Sequence, residues 1–431
     1  MKETKDVVAC VVDHGLFLPW ADMLSRGFKK VYYHTPWEKS FPKIGDCVIG
    51  DGYKNVERLD DFFPLIDKID LFVFPDIGWN GLQLHLEGCG KPVWGSRMGD
   101  ELEIYRENFM DVLKEVGLSL PGFKKIRGLS NLKSYLKDKT DKYLKVSKYR
   151  GSFETYHWRS WREDEGEMEK WAVRFGPLKD EIPFVVVDPI KTEIEDGYDG
   201  YCVDGKFPKQ AFHGIECKDK GYMCAIQDFE SLPDQIKDVN FAISPKLTQV
   251  RYRNNFSTEV RITEDDAFFI DPTCRLGSPP SQVMAEMLSN WCEIVWKGAH
   301  GELVEMEPLA TYGVQTVLNS KCEPGFWGVA DFPEEIRQWV KCGNCCEVDG
   351  RLCFPPTDEA DTMIGWLCAV GDSFEDAINN LKEHVKMLPD GVSTDTQSLV
   401  NLIQEMESAE EMDITFGDGN LPDSASVIEK V

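Results

Sequence analysis

Hydrophobic positions in the first hundred residues fall in short unbroken runs: VVACVV from Val7 to Val12, DCVI from Asp46 to Ile49, LFVFP from Leu71 to Pro75 and KPVWG from Lys91 to Gly95. Runs without alternation suit strands covered on both faces, and the mixed stretches between them suit helices, so this part reads as a parallel α/β layer. The period then changes. Leu102, Tyr105, Phe109, Val112, Leu113 and Val116 share one face of a helix predicted over Asp100 to Val116, stopped by Gly117 with Pro121 beyond. Between Phe123 and Val187 come strand-like KYLKVSKY, a turn-prone RGS at Arg150 to Ser152, a charged solvated surface at Glu163 to Lys170, and the apolar run IPFVVVDP. GYDGYCVDGKF reads as strand, turn, strand; STEVRIT and AFFIDP read as an antiparallel pair joined by the acidic turn Glu264 to Asp266. GWLCAVGDSFEDAINNLKEHVKML predicts a strand, a capped turn and a helix over Phe374 to Leu388.

These elements divide the chain into an α/β unit over 1–95, a core over 96–320 with a lid subdomain at about 122–188, a C-terminal domain over 321–395 and an acidic tail over 396–431. From Glu405 onward eight acids face one Lys, so the tail is expected to be a loosely held extension. The 48 Lys and Arg against 75 Asp and Glu give a net charge of −27, a field that repels nucleic-acid backbones and anionic membranes. No stretch approaches the ~18 apolar residues of a membrane span. Fourteen Cys behind an N-terminus too short in apolar residues for a signal peptide point to a reducing, cytoplasmic setting with free thiols. GxxxxGK[ST], GxGxxG, HExxH and GxSxG are all missing, and the seven His show no ligand spacing. Any catalysis must rest on Lys, Arg and carboxylates.

Such a set lies in STEVRITEDDAFFIDPTCRLGSPP, from Ser257 to Pro280. Glu259 and Arg261, two apart, share a strand face, and Asp271 ends the returning strand. Two carboxylates flanked by Arg261 and Arg275 suit Mg²⁺ carrying a nucleotide, because Mg²⁺ takes one or two carboxylates plus phosphate oxygens while Arg neutralises the rest. A solvated hairpin with ordinary cross-strand ion pairs fits the same residues. Cys342, Cys345, Cys346 and Cys353 form a CxxC knuckle with a further thiol nearby, a possible structural Zn²⁺ site. Its second CxxC is missing, so free thiols in an inserted hairpin are the preferred reading. Tyr156, Trp158 and Trp161, interleaved with Arg159 and Arg162, suit base stacking or, preferably, burial in an amphipathic hairpin.

The order of features (strand Lys145, a Gly/Ser loop, IPFVVVDP, Glu195, then the carboxylate hairpin) resembles the ATP-grasp superfamily. Three segments resemble phosphoribosylamine–glycine ligases, collinearly over about residues 65–390: KPVWGSRMGDELEIYRENFM; EVRITEDDAFFIDPTCRLGSPP with ELVEMEPLATYGVQTVL; and GWLCAVGDSFEDAINNLKEHVKML. The resemblance implies an ATP-grasp fold of mixed α/β and α+β domains, with an N-terminal parallel α/β domain and a small C-terminal α/β domain. It implies ATP with Mg²⁺ or Mn²⁺, and small-molecule carboxylate and amine substrates joined through an acyl phosphate.

Residue by residue, it implies Lys145 on the ATP phosphates beneath a lid from Tyr149 to Thr155 that contains Gly151 and Ser152. Lys148 or Arg150 stands in for the backbone contacts of a richer glycine loop. Adenine would meet backbone groups of the hinge Val186, Val187 and Asp188, and Glu195 the ribose. Glu259, Asp271 and Thr273 would hold metal, with Thr273 where the family commonly has Asn, and Arg275 would face the transferred phosphoryl group. The family's Gly-rich first turn and its Arg-Glu-His are replaced by VVDHGLFLPWADML, in which Gly15 is the sole glycine, and its Gly-Tyr-Pro element by KCEPGFWGVADFPEEIRQW. These departures favour a ligase acting on another amine, another acid or both, over the parent ligase or a non-catalytic nucleotide-binding protein.

Overall fold

The apolar runs near the N-terminus form the centre of a parallel sheet. Strands β1 (Val8–Val12), β2 (Lys30–His34), β3 (Val56–Leu59), β4 (Leu71–Val73) and β5 (Val93–Trp94) lie in the order β3-β2-β1-β4-β5. DCVI at Asp46 to Ile49 is not among them: it makes a tight turn with an isolated bridge from Ile44 to Cys47. The computed structural model describes residues 1–36, 43–148, 155–192, 194–263, 266–422 and 424. Helices α1 (Leu18–Ser25) and α2 (Asn80–Gly88) flank the sheet, and Ala9, Cys10, Val11 and Val12 are fully buried, as expected of a strand covered on both faces.

The helix expected over Asp100 to Val116 is interrupted. It becomes α3 (Glu101–Ile104) and α4 (Arg106–Glu115), with Tyr105 at φ −108°, ψ 86° between them. The break exchanges helical hydrogen bonds for tertiary ones: the Ile104 carbonyl accepts from the Lys148 N–H at 2.8 Å, and Ser147 Oγ accepts from the Arg106 N–H at 3.1 Å. These bonds tie the helix pair to a four-stranded antiparallel sheet of β6 (Phe123–Arg127), β7 (Lys142–Val146), β8 (Thr155–Trp158) and β9 (Pro183–Val187), ordered β6-β9-β7-β8. Helices α5 (Leu129–Leu136) and α6 (Trp161–Phe175) cover it with a separate core that includes Leu132, Leu136, Trp158, Met168 and Trp171. Trp158 is fully buried and Trp161 packs against this core, so the aromatic group serves packing. The charged stretch at Glu163 to Lys170 is the outer part of α6, with Asp164 drawn inward by Tyr156 and Arg159.

A nine-stranded sheet forms the body. It contains β10 (Ile194–Val203), β11 (Gln210–Cys217), β12 (Gly221–Asp228), β13 (Arg253–Ile262), β14 (Ala267–Thr273) and β15 (Tyr312–Lys321), interspersed with α7 (Asp234–Gln249), α8 (Ser281–Met287) and α9 (Trp291–Ala299). After β15 come β16 (Gly328–Ala330), α10 (Glu334–Arg337), β17 (Val340–Cys342), β18 (Cys346–Val348), β19 (Arg351–Phe354), β20 (Asp361–Gly371), α11 (Phe374–Val385), β21 (Val392–Thr394) and α12 (Gln397–Glu410). The order is β14-β13-β10-β11-β12-β15-β20-β17, with β21 beside β15, while β16, β19 and β18 form a small separate sheet. Because β15 pairs with β20 along its length, the sheet runs continuously across residue 320, where the sequence suggested a boundary. The capped turn before α11 is present: Ser373 Oγ accepts from the Asp376 N–H at 3.1 Å.

The segment expected to be a loose acidic extension is instead packed. Helix α12 buries Leu399, Leu402, Ile403, Met406 and Ala409, and Phe416 beyond it is fully buried against His213, ring centroids 4.5 Å apart. Acids alternate with apolar residues at helical spacing here, so the apolar stripe docks on β11 and β12.

Candidate active site

The site is built from the two-residue period of neighbouring strands. On β10, Ile194, Asp196 and Tyr198 are buried, while Glu195, Gly197 and Asp199 are more open and line a cavity of about 560 Å³. On β13, Thr258, Val260 and Ile262 are buried while Ser257, Glu259 and Arg261 face the same cavity. Register sets Glu195 opposite Arg261, Gly197 opposite Glu259, and Glu259 in turn opposite Asp271 of β14. Gly197 permits the close strand approach: a Cβ there would stand 1.8 Å from the Thr258 carbonyl oxygen. Glu216 of β11 and Glu405 of α12 complete the acidic wall.

The charges are unevenly matched. Asp271 accepts from Arg106 at Oδ1 and lies 3.3 Å from Lys145 Nζ at Oδ2, and Lys145 also donates to the Ile270 carbonyl at 2.7 Å. Lys145 belongs to β7, so it bridges from the four-stranded sheet to the large one. Burial pulls the Lys145 ammonium below its ordinary value. Burial also pushes the Asp271 carboxyl up, but Arg106 and Lys145 outweigh it and hold the group below the usual range. Burial, reinforced by Asp271, Glu195 and Glu216, drives Glu259 well above that range. Glu216 is raised in the same direction by the enclosing walls and its acidic neighbours, though its side chain is open to solvent that screens it. The Glu259 carboxylate makes no hydrogen bond among the described residues. A cluster of oxygen donors fits a hard divalent cation, and Glu259, Asp271 and Thr273 could hold Mg²⁺.

The structure therefore brings together Lys145, Glu195, Glu259, Arg261, Asp271 and Thr273. Arg261 lines the cavity paired with Glu195: its Nε donates to Glu195 Oε2 at 3.0 Å. Arg275 stands behind the cavity, donating through Nε to Glu103 Oε1 at 2.9 Å and through Nη1 to the Leu276 carbonyl at 2.8 Å. Val187 and Asp188 do not line the cavity; Val187 is paired on both sides within its sheet, and the Asp188 N–H donates to the Gly122 carbonyl at 2.7 Å. Lys148 is exposed at φ 68°, its Nζ 5.1 Å from the Tyr105 ring. Gly151 and Ser152, with Tyr149, Arg150 and the rest of the lid before Thr155, lie outside the described residues, as do Glu264 and Asp265 of the hairpin turn.

The thiols of the cysteine knuckle are not gathered at one point in this structure. Cys342, Cys345, Cys346 and Cys353 are free and buried, and among the described residues they form no group of three ligand atoms close enough to share an ion. Cys346 and Cys353 are paired across β18 and β19, whereas Cys345 Sγ contacts Tyr53 Oη at 3.2 Å, so the strand geometry sends the thiols to different neighbours. Burial pushes the Cys345 and Cys346 thiols up to about 12.

Sequence reasoning missed Arg106, Glu103, Asp199 and Glu216. Arg106 lies outside the apolar stripe that predicted its helix, and nothing local distinguishes it from a solvated arginine. Glu216 and Asp199 alternate with apolar residues on their strands, a pattern that marks a half-open face without telling solvent from a cavity.

This arrangement, a small antiparallel sheet reaching by a lysine to a carboxylate hairpin on a large sheet beside a parallel α/β layer, is the ATP-grasp fold. Among solved structures the fold is shared with phosphoribosylamine–glycine ligase from Thermotoga maritima, at 15% identity and TM-score 0.68, covering 90% of this chain and 98% of that one. It is shared with the biotin carboxylase domain of Hydrogenobacter thermophilus 2-oxoglutarate carboxylase, solved with MgADP and bicarbonate, at 13% identity and TM-score 0.63, covering 96% of each chain. L-amino acid ligase from Bacillus licheniformis matches at 14% identity and TM-score 0.60, covering 91% of this chain and 99% of that one. No family model and no curated protein matches the sequence.

Proposed function

We propose that the protein is an ATP-dependent, ADP-forming carboxylate–amine ligase acting on a small-molecule acid and a small-molecule amine. The observation that carries this reading is the bridge from Lys145 to Asp271, with Glu259 opposite Asp271 across the hairpin. It puts a cation from one sheet and metal-type acids from the other at a single point, where a nucleotide phosphate can replace the internal ion pair. The fold shared with a glycine ligase and an amino acid ligase supports the same class.

In the proposed reaction a carboxylate oxygen of the acid attacks the γ-phosphorus of ATP, and the bond to the β,γ-bridging oxygen breaks to release ADP. The amine nitrogen then attacks the acyl carbon, the bond to the phosphate oxygen breaks, and phosphate departs as the nitrogen loses a proton. Neither step requires a protein nucleophile; both require positioning and neutralisation of charge. Lys145 and Arg106, held ready on Asp271, supply fixed positive charge at the phosphates. Arg275, held by Glu103 behind the cavity, adds to the positive charge on that side. Glu259, Asp271 and Thr273 would hold Mg²⁺, which neutralises phosphate oxygens when bound.

The test is ADP release from MgATP over a panel of acids and amines. Release is expected to require one acid and one amine together, and to fall by about 10²-fold or more in Lys145→Met and Glu259→Gln, the scale of losing one preorganised charge contact. Binding of MgATP with no ADP formed in any combination, glycine with phosphoribosylamine included, would refute the ligase.

A further inference from the structure

A second cavity, of about 310 Å³, lies where the turn after β1, the start of α8 and the C-terminal strands meet. Leu16 comes from that turn, Gln282 from α8, and Phe354, Met363, Ile364 and Trp366 from β19 and β20. Two glycines permit the assembly. A Cβ on Gly343 would stand 2.6 Å from the Leu16 carbonyl oxygen, and one on Gly365 would stand 2.3 Å from that of Lys341. The Asn344 N–H donates to the Gly15 carbonyl at 2.8 Å, which ties the residues behind β17 to the turn after β1.

The lining is mostly hydrocarbon, with a few polar groups set into it, as in sites for small organic molecules. Among the described residues no carboxylate lines it. Its one cation, Lys341, is 3% exposed and donates to Glu286, itself 3% exposed. Glu286 also accepts from Arg26 at 2.9 Å and from Gln338 at 2.6 Å. This ion group is complete within the protein, so the cavity has no spare positive charge for a phosphate or a carboxylate. An apolar cavity of about 150 Å³ already accepts a benzene ring, so there is room here for a branched or aromatic group.

The second cavity borders the first. Gly277, Pro279 and Pro280 line the cavity of the carboxylate hairpin, and Gln282, two residues on, lines this one. Gln282 Nε2 donates to Ser278 Oγ at 2.9 Å, so the turn from Gly277 to Gln282 is a wall common to both. Under the ligase reading, on which this inference rests, the acid must meet the γ-phosphate inside the first cavity. The amine arrives afterwards at the acyl carbon, and its remaining atoms must be held beside that cavity. We propose that the second cavity binds the hydrocarbon group of the amine substrate, a branched or aromatic amine without phosphate, and that Leu16, Met363 and Trp366 set this preference.

The test titrates the full chain, without nucleotide, with ethylamine, butylamine, 3-methylbutylamine and 2-phenylethylamine, followed by saturation-transfer nuclear magnetic resonance. Affinity is expected to rise about fourfold for each added methylene from ethylamine to butylamine. Thr362→Trp, which fills the cavity from a half-buried position of β20, should weaken the larger amines by at least ~10-fold, the loss of two or more buried methylenes. Met363→Ser, on the exposed rim, should weaken them less, and near-ultraviolet circular dichroism checks that both variants are folded. Butyrate and 3-phenylpropionate, the matching acids, should show no such gradient. A flat amine series, an unchanged series in folded Thr362→Trp, or an equal gradient among the acids would overturn the assignment of the cavity, and ADP release with another acid and amine would still leave the ligase standing. A graded amine series with no ADP released from MgATP in any combination would refute the ligase and overturn the amine's role as substrate.

Discussion

At the scale of the residue, burial decides what each charge can do. Lys145 and Asp271 restrain one another, and removing Asp271 takes from Lys145 and Arg106 the acid they share in a desolvated setting. Asp271→Ala is therefore a poor probe of metal binding, since it also releases two cations; Glu259→Gln removes an acid that has no cationic hydrogen-bond partner to strand. A second buried pair makes its own prediction. His213 Nε2 lies 2.9 and 3.0 Å from the two oxygens of Asp196, both side chains fully buried. Burial pulls the His213 imidazolium down, yet Asp196 outweighs it and raises the group above its ordinary value. A group raised on folding contributes stability that is complete below its unfolded value of about 6.5 and is lost as pH climbs through the folded value. Urea midpoints of the wild type should fall over that range. His213→Gln, which strands Asp196, should cost about 3–5 kcal/mol at low pH and show a shallower slope; an unchanged midpoint would contradict the ion pair.

At the scale of the element, tertiary bonds override local pattern twice. The amphipathic stripe of Asp100 to Val116 is correct for a helix, but the Ser147 and Lys148 backbone region competes for the bonds at Tyr105 and turns Arg106 toward Asp271. In the tail, acidic composition hid an apolar stripe that α12 uses to cover β11 and β12. Phe416, beyond that helix, closes over His213. Phe416→Ala is accordingly expected to destabilise by about 3–5 kcal/mol in urea unfolding, the scale of a deleted core aromatic. A shift below ~0.5 kcal/mol would place the tail on the surface instead.

At the scale of the molecule, the proposed function sets the phosphates of free ATP against a net charge of −27 and a cavity wall of Glu195, Glu216, Glu259 and Glu405, so nucleotide binding is expected to require a divalent cation. Thermal unfolding should thus rise with MgATP, by about 2.7 kcal/mol at a hundred times its Kd, and remain unmoved by ATP with chelator. Equal stabilisation by both would remove Mg²⁺ from the site. No described helix is long and apolar enough to cross a membrane.

The sequence alone determined the elements whose partners lie nearby. Continuous apolar runs specified most of the parallel layer, the runs STEVRIT and AFFIDP on either side of an acidic turn specified β13 and β14, and Glu259 and Asp271 were thereby already placed on neighbouring strands of that hairpin. Tertiary structure alone decided which charges meet. Arg106, Glu103 and Glu216 reach the site, or the groups beside it, across contacts between separate elements. The reason is physical. Periodicity records whether a position faces apolar core or not, a property of one element, whereas the partner of a buried charge is set by the packing of two, and no local pattern encodes it.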